Sequence, residues 1–192
     1  YSLDKMRQRA SEIFGFFSSL TYPYKCCDYK VIYGLLFEDF LSDYAYWGHC
    51  DMDLIFGDIR AFTNKYQLEK YDKFLALGHL SLYRNTSEVN NRYKLAGAYY
   101  GNKDINYKEV FTNGQNYTFD EVSGIYSIYQ RHRFPVFTKR IFSDIASVYK
   151  RYRLTQAYRL DSSVVADYKY QIFYWEKGKT YRAYVLNNKI YT

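Results

Sequence analysis

Apolar side chains recur at helical spacing in two stretches near the start of the chain, and this period predicts two amphipathic helices. The first covers residues 2–17, with Ser2 as its N-cap. The second covers residues 24–42, after a break at Pro23. Each helix is expected to bury one apolar face.

The next apolar stretch, residues 46–50, has the composition of a buried strand and ends at Asp51 and Asp53. A helix followed at once by a buried strand is half of an αβ unit. In open α/β sheets, ligands lie beyond the carboxyl ends of the strands. The pattern therefore predicts a site at these two carboxylates.

The remaining pattern predicts an α/β fold with a mixed sheet flanked by helices and a C-terminal β-hairpin, in one domain over residues 1–192. Its predicted elements are a strand at 73–77 ended by Gly78 and His79, a helix start at Thr86, a flexible loop at 97–116 with a short strand at 107–111, a helix at 122–132, a strand-like or mixed segment at 142–149, and a hairpin at 168–186.

The composition is that of a globular protein with a basic surface. Apolar residues make up 48% of the 192, and the net charge of +7 suits anionic partners. A cluster at Lys139-Arg140 and Lys150-Arg151-Arg153 is more typical of a solvated helix face than of a nucleic-acid site, so nucleic acid is not expected as a partner. The 26 Tyr either line a polar cleft or reflect an AT-rich genome.

The cysteines and the hydropathy indicate the compartment. Cys26, Cys27 and Cys50 form no CxxC pair, so neither a disulfide framework nor a zinc site is expected, and a reducing cytoplasm fits best. No apolar run approaches the roughly 20 residues of a spanning helix. Because the chain opens with Tyr1, we expect it to be a piece of a longer protein.

Asp51 and Asp53 are separated by one residue, so both carboxylates can turn toward one cation. Mg²⁺ and Mn²⁺ typically take one or two protein carboxylates, together with phosphate oxygens and water. The apolar and aromatic residues on both sides are unlike a surface loop. We therefore expect a metal site, and the alternative is that the pair caps a helix.

The stretch from Trp47 to Ile59 resembles the Asp-x-Asp core of GT-A fold glycosyltransferases. It is most similar to a little-characterised group found in bacterial capsule and lipopolysaccharide gene clusters. The resemblance covers roughly residues 20 to 185. Further matching segments are Pro23–Lys30, Gly78–Asn85, Phe119-Asp120-Glu121 and Gln171–Trp175.

The resemblance implies transfer of a sugar from a nucleoside diphosphate sugar, expected to be a UDP-sugar, to a glycan or lipid-linked glycan acceptor. It implies that Asp51 contacts both ribose and metal and that Asp53 holds the metal, which is Mn²⁺ or Mg²⁺. Asp28 and Lys30 become donor-site candidates, because the helix ahead of the motif packs beside the nucleotide in such enzymes. The expected location is the cytoplasm, with peripheral contact at the inner face of the plasma membrane.

Three later side chains are candidates for the acceptor side. The resemblance gives Asp120 and Glu121, at a helix start, the role of general base toward the acceptor hydroxyl. The alternative for this pair is simple N-capping. His79, at a strand end, faces either the acceptor or the cleft, or else only bonds to backbone.

The chain departs from the family pattern in two ways. Almost nothing precedes the first helix, so we expect this chain to lack part of the N-terminal nucleotide-binding half. No His follows His132, so the late His that many relatives use as a metal ligand is absent. Two other functions therefore stay open: a different Mg²⁺-dependent phosphoester enzyme, and a catalytically inert binding or assembly module.

Overall fold

The structure is a computed structural model that describes residues 1–139, 142, 144–146, 152–155 and 165–192. The chain divides into two compact units. The single domain expected from the sequence stays a prediction. The first unit comprises Tyr1–Leu54 and Gln67–Lys139, and the second comprises Ile55–Tyr66 and Arg140–Thr192.

The first unit combines short helices with a small mixed sheet, as the α/β prediction requires. Its α-helices are α1 (Leu3–Phe14), α2 (Cys26–Tyr29), α3 (Tyr33–Leu36), α4 (Glu38–Leu41), α6 (Ser87–Asn90), α7 (Tyr107–Thr112) and α8 (Ser127–Arg131). Its 3-10 turns are Pro23–Lys25, Lys30–Ile32, Leu68–Lys70 and Arg92–Lys94, and a π-helical segment covers Val122–Tyr126. Its strands are β1 (Tyr46–Cys50), β2 (Lys73–Phe74), β3 (Leu80–Arg84), β4 (Ala98–Tyr100), β5 (Lys103–Ile105) and β6 (Val136–Phe137).

The main sheet has the order β1-β3-β2-β6. β3 pairs antiparallel with both of its neighbours, whereas β2 and β6 are parallel. The strand predicted at residues 46–50 is confirmed, and Asp51 follows its last residue. The strand predicted at 73–77 is shorter, because Leu75 adopts a left-handed conformation with φ of 71°.

The predicted first helix is confirmed, with Ser2 accepting a hydrogen bond from the N–H of Lys5 at 3.3 Å and Gly15 in the left-handed conformation at the end. The helix predicted over residues 24–42 is instead a series of short helical segments. Its interruptions lie at Ile32 and Phe37, whose φ angles are −112° and −118°. Val31, Ile32 and Leu36 of these segments are buried in the core, whereas α4 buries no residue and Phe40 is exposed.

The prediction of a flexible loop at residues 97–116 is wrong. β4 and β5 form a hairpin there, and the residues of the predicted short strand form α7 instead. The side chain of Asn106 accepts a hydrogen bond from the N–H of Glu109 at 3.1 Å, which caps α7. Asn is common both in loops and at helix N-caps, so Asn106 by itself does not distinguish the two.

The first unit is built around aromatic rings. Tyr29, Tyr83, Tyr93 and Tyr129 are essentially fully buried, so part of the Tyr content fills the core. The ring of Trp47 stacks on Tyr83 with centroids 4.6 Å apart, and its Nε1 donates to Asn90 Oδ1 at 2.7 Å. This packing holds β1 against β3, and so holds the end of β1 where Asp51 follows.

Among its described residues, the second unit contains α5 (Ile59–Lys65) and five strands. β7 (Asp144–Ala146) pairs with β8 (Arg153–Thr155), and β9 (Gln171–Glu176), β10 (Lys179–Leu186) and β11 (Lys189–Tyr191) form an antiparallel sheet in the order β11-β10-β9. The C-terminal hairpin is confirmed, and a third strand extends it.

Two predictions fall partly outside the described residues. β7 lies within the segment at 142–149 that we expected to be strand-like or mixed, and the rest of that segment, apart from Phe142, is outside the described residues. Arg140, Lys150 and Arg151 of the predicted basic cluster are outside them as well. Over the described ranges, no helix combines the length and apolar character needed to cross a membrane.

Candidate functional site

The ammonium group of Lys30 joins two of the acidic residues selected from the sequence. Lys30 Nζ lies 2.5 Å from Asp51 Oδ1 and 3.1 Å from Asp120 Oδ2. Lys30 comes from the helical segments ahead of β1, Asp51 follows β1, and Asp120 precedes the π-helical segment. The fold therefore brings three residues that are far apart in sequence to one point at the end of β1.

The turn at Gly78 and His79 completes this cluster. Lys30 Nζ donates to the carbonyl of Gly78 at 3.2 Å, and the N–H of Asp51 donates to the carbonyl of His79 at 2.8 Å. A Cβ added at Gly78 would collide with Asp120 Oδ2 and lie 2.8 Å from Glu121 Oε1. A side chain at position 78 would therefore force the carboxylates of Asp120 and Glu121 to move.

Burial gives the two ends of this ion-pair network different environments. Asp120 is 2% exposed, and burial raises the pKa of its carboxyl to about 6, although the charge and the hydrogen bond of Lys30 oppose the rise. Burial also disfavours the charged form of Lys30, but its bonds to Asp51 and Asp120 outweigh this and raise its pKa. The side chain of Asp51, by contrast, is 40% exposed.

The cluster carries more negative than positive charge. Lys30 is shared by Asp51 and Asp120, the Glu121 carboxylate lies beside the same Gly78 turn, and Asp53 follows Asp51 by two residues on the turn after β1. One ammonium offsets one carboxylate at most. An anionic ligand such as a diphosphate would therefore need an additional cation in order to bind here.

Asp28 occupies a different place from the donor site that we expected. Its side chain is fully buried and accepts hydrogen bonds from Lys25 Nζ at 2.7 Å and from the N–H groups of Tyr117 and Phe119 at 3.0 and 2.8 Å. These bonds fix the segment that leads into Asp120. The structure thus gives Asp28 a positioning role, and no surface of it is open to a nucleotide.

Neither Asp120 nor Glu121 caps the start of the π-helical segment with its side chain. Glu121 holds the cap position of the π-helical segment, and no side chain caps that end among the described residues. The carboxylate of Asp120 contacts Lys30 instead of the helix N–H groups. Glu121 is half-buried and Asp120 is buried, so the two neighbours differ in access to solvent.

The turn after β1 offers two carboxylates, which are the kind of ligand that a hard divalent cation prefers. Asp51 and Asp53 lie on the turn that follows β1, Asp53 is exposed, and carboxylate oxygens are ligands that Mg²⁺ and Mn²⁺ prefer. Within the described part of the chain, no group of three or more His, Cys, Asp or Glu side chains could hold a metal ion. Two carboxylates do not complete the coordination shell of such an ion, so any cation bound here would need further ligands from outside these residues.

A buried polar group beneath the site was not anticipated from the sequence. Lys73 is fully buried, and its Nζ donates to Ser81 Oγ at 2.5 Å and to the carbonyl of Leu75 at 2.7 Å. Burial lowers the pKa of Lys73 to about 7, although Glu121 and Asp120 oppose the change. A Lys beginning an apolar strand is the one signal in the sequence that pointed to it.

The three His side chains differ in burial and in their surroundings. His49 is buried, and burial with the nearby charges of Lys73 and Lys30 lowers its pKa well below the usual value. His132 lies at the end of α8, where its Nε2 hydrogen-bonds the carbonyl of Ala96 at 2.9 Å. His79 is half-buried beside the cluster, and its acceptor role stays a prediction.

A protein-family model described as a family of unknown function, DUF6625, matches residues 1–192. The chain belongs to this family. No curated protein and no solved structure matches it. A function for this DUF6625 chain is therefore argued from its own residues.

Proposed function

We propose that this DUF6625 chain transfers a sugar from a nucleoside diphosphate sugar to a hydroxyl group of a glycan acceptor. The observation that carries the proposal is the Lys30 ammonium, which ties Asp51, at the end of β1, to Asp120, ahead of the π-helical segment. Residues first linked by the resemblance to GT-A fold glycosyltransferases thus share one cluster. The acceptor class includes lipid-linked glycans, and the cytoplasm is the proposed compartment.

The excess negative charge of the cluster supports a requirement for a divalent cation. Asp51 and Asp53 are the residues that would hold Mn²⁺ or Mg²⁺, and a bound ion of this kind supplies charge neutralisation for a leaving diphosphate. Lys30 keeps Asp51 in place at the exposed end of the ion-pair network. Asp51 is also the proposed contact to the ribose of the donor.

We assign different roles to the two neighbouring carboxylates. Glu121 is the proposed general base toward the acceptor hydroxyl, because it is half-buried and its Oε1 lies beside the Gly78 turn. Asp120 is a positioning residue, since it is buried and acts on Asp51 through Lys30. His79, on the same turn, is the proposed contact to the acceptor.

A second candidate function rests on the same carboxylates. Metal-dependent phosphoester enzymes use several carboxylates around their ions. Here Asp120 and Glu121 approach the site of Asp51, whereas Asp58 is in the second unit and caps α5 by accepting from the N–H of Ala61 at 2.8 Å. Hydrolysis of p-nitrophenyl phosphate with Mg²⁺, in the absence of any nucleotide sugar, would favour this candidate.

A thermal shift experiment with UDP and Mn²⁺ tests the proposed transferase. We expect UDP to raise the melting temperature when Mn²⁺ is present and to have no effect in EDTA. Asp51→Ala and Asp53→Ala should abolish the rise, and the exposed Asp4→Ala serves as the matched control. Stabilisation that persists in both site variants would contradict the proposed role of these carboxylates.

A further inference from the structure

The connection from β2 to β3, residues 75–79, carries the backbone groups that meet the candidate site, and we call it the β2–β3 turn. Its Gly78 carbonyl accepts a hydrogen bond from Lys30 Nζ at 3.2 Å. Its His79 carbonyl accepts one from the N–H of Asp51 at 2.8 Å. The position of Lys30 and of the Asp51 backbone therefore depends on where this turn places its last two carbonyl groups.

Two earlier carbonyl groups of the same turn are held by a pair of buried side chains, Lys73 and Ser81. Lys73 Nζ donates to the Leu75 carbonyl at 2.7 Å and to Ser81 Oγ at 2.5 Å. Ser81 Oγ donates to the Leu77 carbonyl at 3.0 Å. Both side chains are fully buried. One ammonium group thus links β2, β3 and the turn between them.

The strand register explains why these two side chains meet. Lys73 pairs with Tyr83, and residues paired across strands share a face of the sheet. Ser81 lies two residues before Tyr83 on β3, so it is on that face as well. The face is buried, so water does not solvate the ammonium there. The hydroxyl of Ser81 and the Leu75 carbonyl supply the acceptors that a buried charge needs.

The conformation of Leu75 shows why the turn needs such support. Its φ of 71° lies in the left-handed region, which is unfavourable for a residue with a Cβ. Local backbone preference therefore opposes the observed shape of the turn. The bond from Lys73 Nζ to the Leu75 carbonyl stabilises it, together with the bond from the Leu75 N–H to the Phe137 carbonyl at 2.9 Å.

We propose that Lys73 and Ser81 are positioning residues for the candidate site. They hold the first part of the β2–β3 turn, so that its last two carbonyls stay in place for Lys30 and for the Asp51 N–H. Because both side chains are fully buried, they act through the turn and not by touching a ligand. The inference deepens the proposed function and rests on it for the role of Asp51, but the bond at issue can be measured without any ligand.

Amide hydrogen exchange followed by NMR tests the proposal, because the Asp51 N–H reports directly on its bond to the β2–β3 turn. The reference is the N–H of the buried Val110 in α7, which reports on the stability of the first unit. Relative to that reference, Lys73→Met should speed exchange of the Asp51 N–H at least about tenfold, since a buried carbonyl loses its donor. Ser81→Ala should speed it at least about fivefold for the same reason.

Ser127→Ala is the matched control for the loss of a buried hydroxyl. Ser127 Oγ donates to the Gly97 carbonyl at 2.6 Å, and the side chain is buried in α8. This variant should leave exchange of the Asp51 N–H unchanged relative to Val110. Equal acceleration of both N–H groups in Lys73→Met, or no acceleration at Asp51, would overturn the proposal. If Lys73→Met does not fold, the same comparison in Ser81→Ala decides the matter.

The thermal shift with UDP and Mn²⁺ separates this inference from the proposed function. Lys73→Met should lose most of the shift that the wild type shows, whereas Ser127→Ala should keep it. A full shift in Lys73→Met would overturn the positioning role. A wild type without any shift would contradict the proposed function instead, and the exchange rate of the Asp51 N–H would still decide the role of Lys73.

Discussion

Replacing Asp120 with Asn should stabilise the protein at neutral pH, although most substitutions of buried residues destabilise. Asp120 is 2% exposed, and the pKa of its carboxyl is raised from 3.8 to about 6, mainly by burial. The ionised form therefore lowers the stability of the fold at pH 7. Asn resembles the protonated carboxyl in shape, and its amide oxygen can still accept a hydrogen bond from Lys30.

The size of the effect follows from the pKa difference. A rise from 3.8 to about 6 is about two units, and each unit corresponds to 1.36 kcal/mol, which gives about 3 kcal/mol. The sign follows from proton binding: between about pH 4 and about pH 6 the folded chain holds a proton that the unfolded chain has released, so this group's contribution to stability falls as pH rises. Because Asn does not titrate, Asp120→Asn removes this loss of stability with rising pH.

Urea unfolding in a Trp175→Phe background measures this difference, because Trp47 is then the one Trp of the chain and its fluorescence reports on the first unit. The free energy of unfolding of Asp120→Asn should equal that of the wild type near about pH 4 and exceed it by about 3 kcal/mol above about pH 7. Asp53→Asn, at an exposed carboxylate, is the control and should show almost no difference at either pH. A variant that is less stable than the wild type at pH 7 would refute the reasoning.

Three further substitutions test the parts of the cluster. Asp28→Asn leaves a buried ammonium without its charged partner and should reduce the free energy of unfolding by about 3–5 kcal/mol in urea titrations; a loss below about 1 kcal/mol would be inconsistent with a buried ion pair. Gly78→Ala should abolish the UDP-dependent thermal shift because its Cβ collides with Asp120, whereas Gly114→Ala, whose Cβ meets its nearest neighbour at 3.6 Å, should retain it. Lys30→Met should raise the pKa of Asp120 above about 6 in a carboxyl-carbon NMR titration, and an unchanged pKa would show that Lys30 does not interact with it.

Hydrophobic periodicity and capping residues predicted where helices and strands occur better than they predicted where a helix is interrupted. The strand ending at Asp51 was predictable because apolar and aromatic residues surround an abrupt acidic pair. The breaks at Ile32 and Phe37 were not, because neither residue is a helix breaker and the apolar period continues through them. Residues 97–116 were misread because Gly, Asn and Tyr occur equally in loops, hairpin turns and helix caps.

The sequence predicted which residues belong to the candidate site, and it did not predict the ion pairs between them. Lys30, Asp51, Asp120 and Glu121 were each selected, but only the fold shows that one ammonium joins two of the carboxylates. The resemblance alone made Asp28 a donor-site candidate, and nothing in the local sequence shows that backbone N–H groups distant in sequence surround its carboxylate. Burial and long-range hydrogen bonds decide the roles of these side chains, and neither can be predicted from the neighbouring residues in the sequence.

The most direct test of the account is donor turnover by a Glu121 variant. UDP release from UDP-sugars in the presence of Mn²⁺ would be measured for the wild type, for Glu121→Gln and for the exposed control Glu38→Gln. We predict that Glu121→Gln releases UDP at least about 100-fold more slowly while keeping the Mn²⁺-dependent thermal shift with UDP. Equal rates for the wild type and Glu121→Gln, or no UDP release by the wild type, would contradict the proposed function.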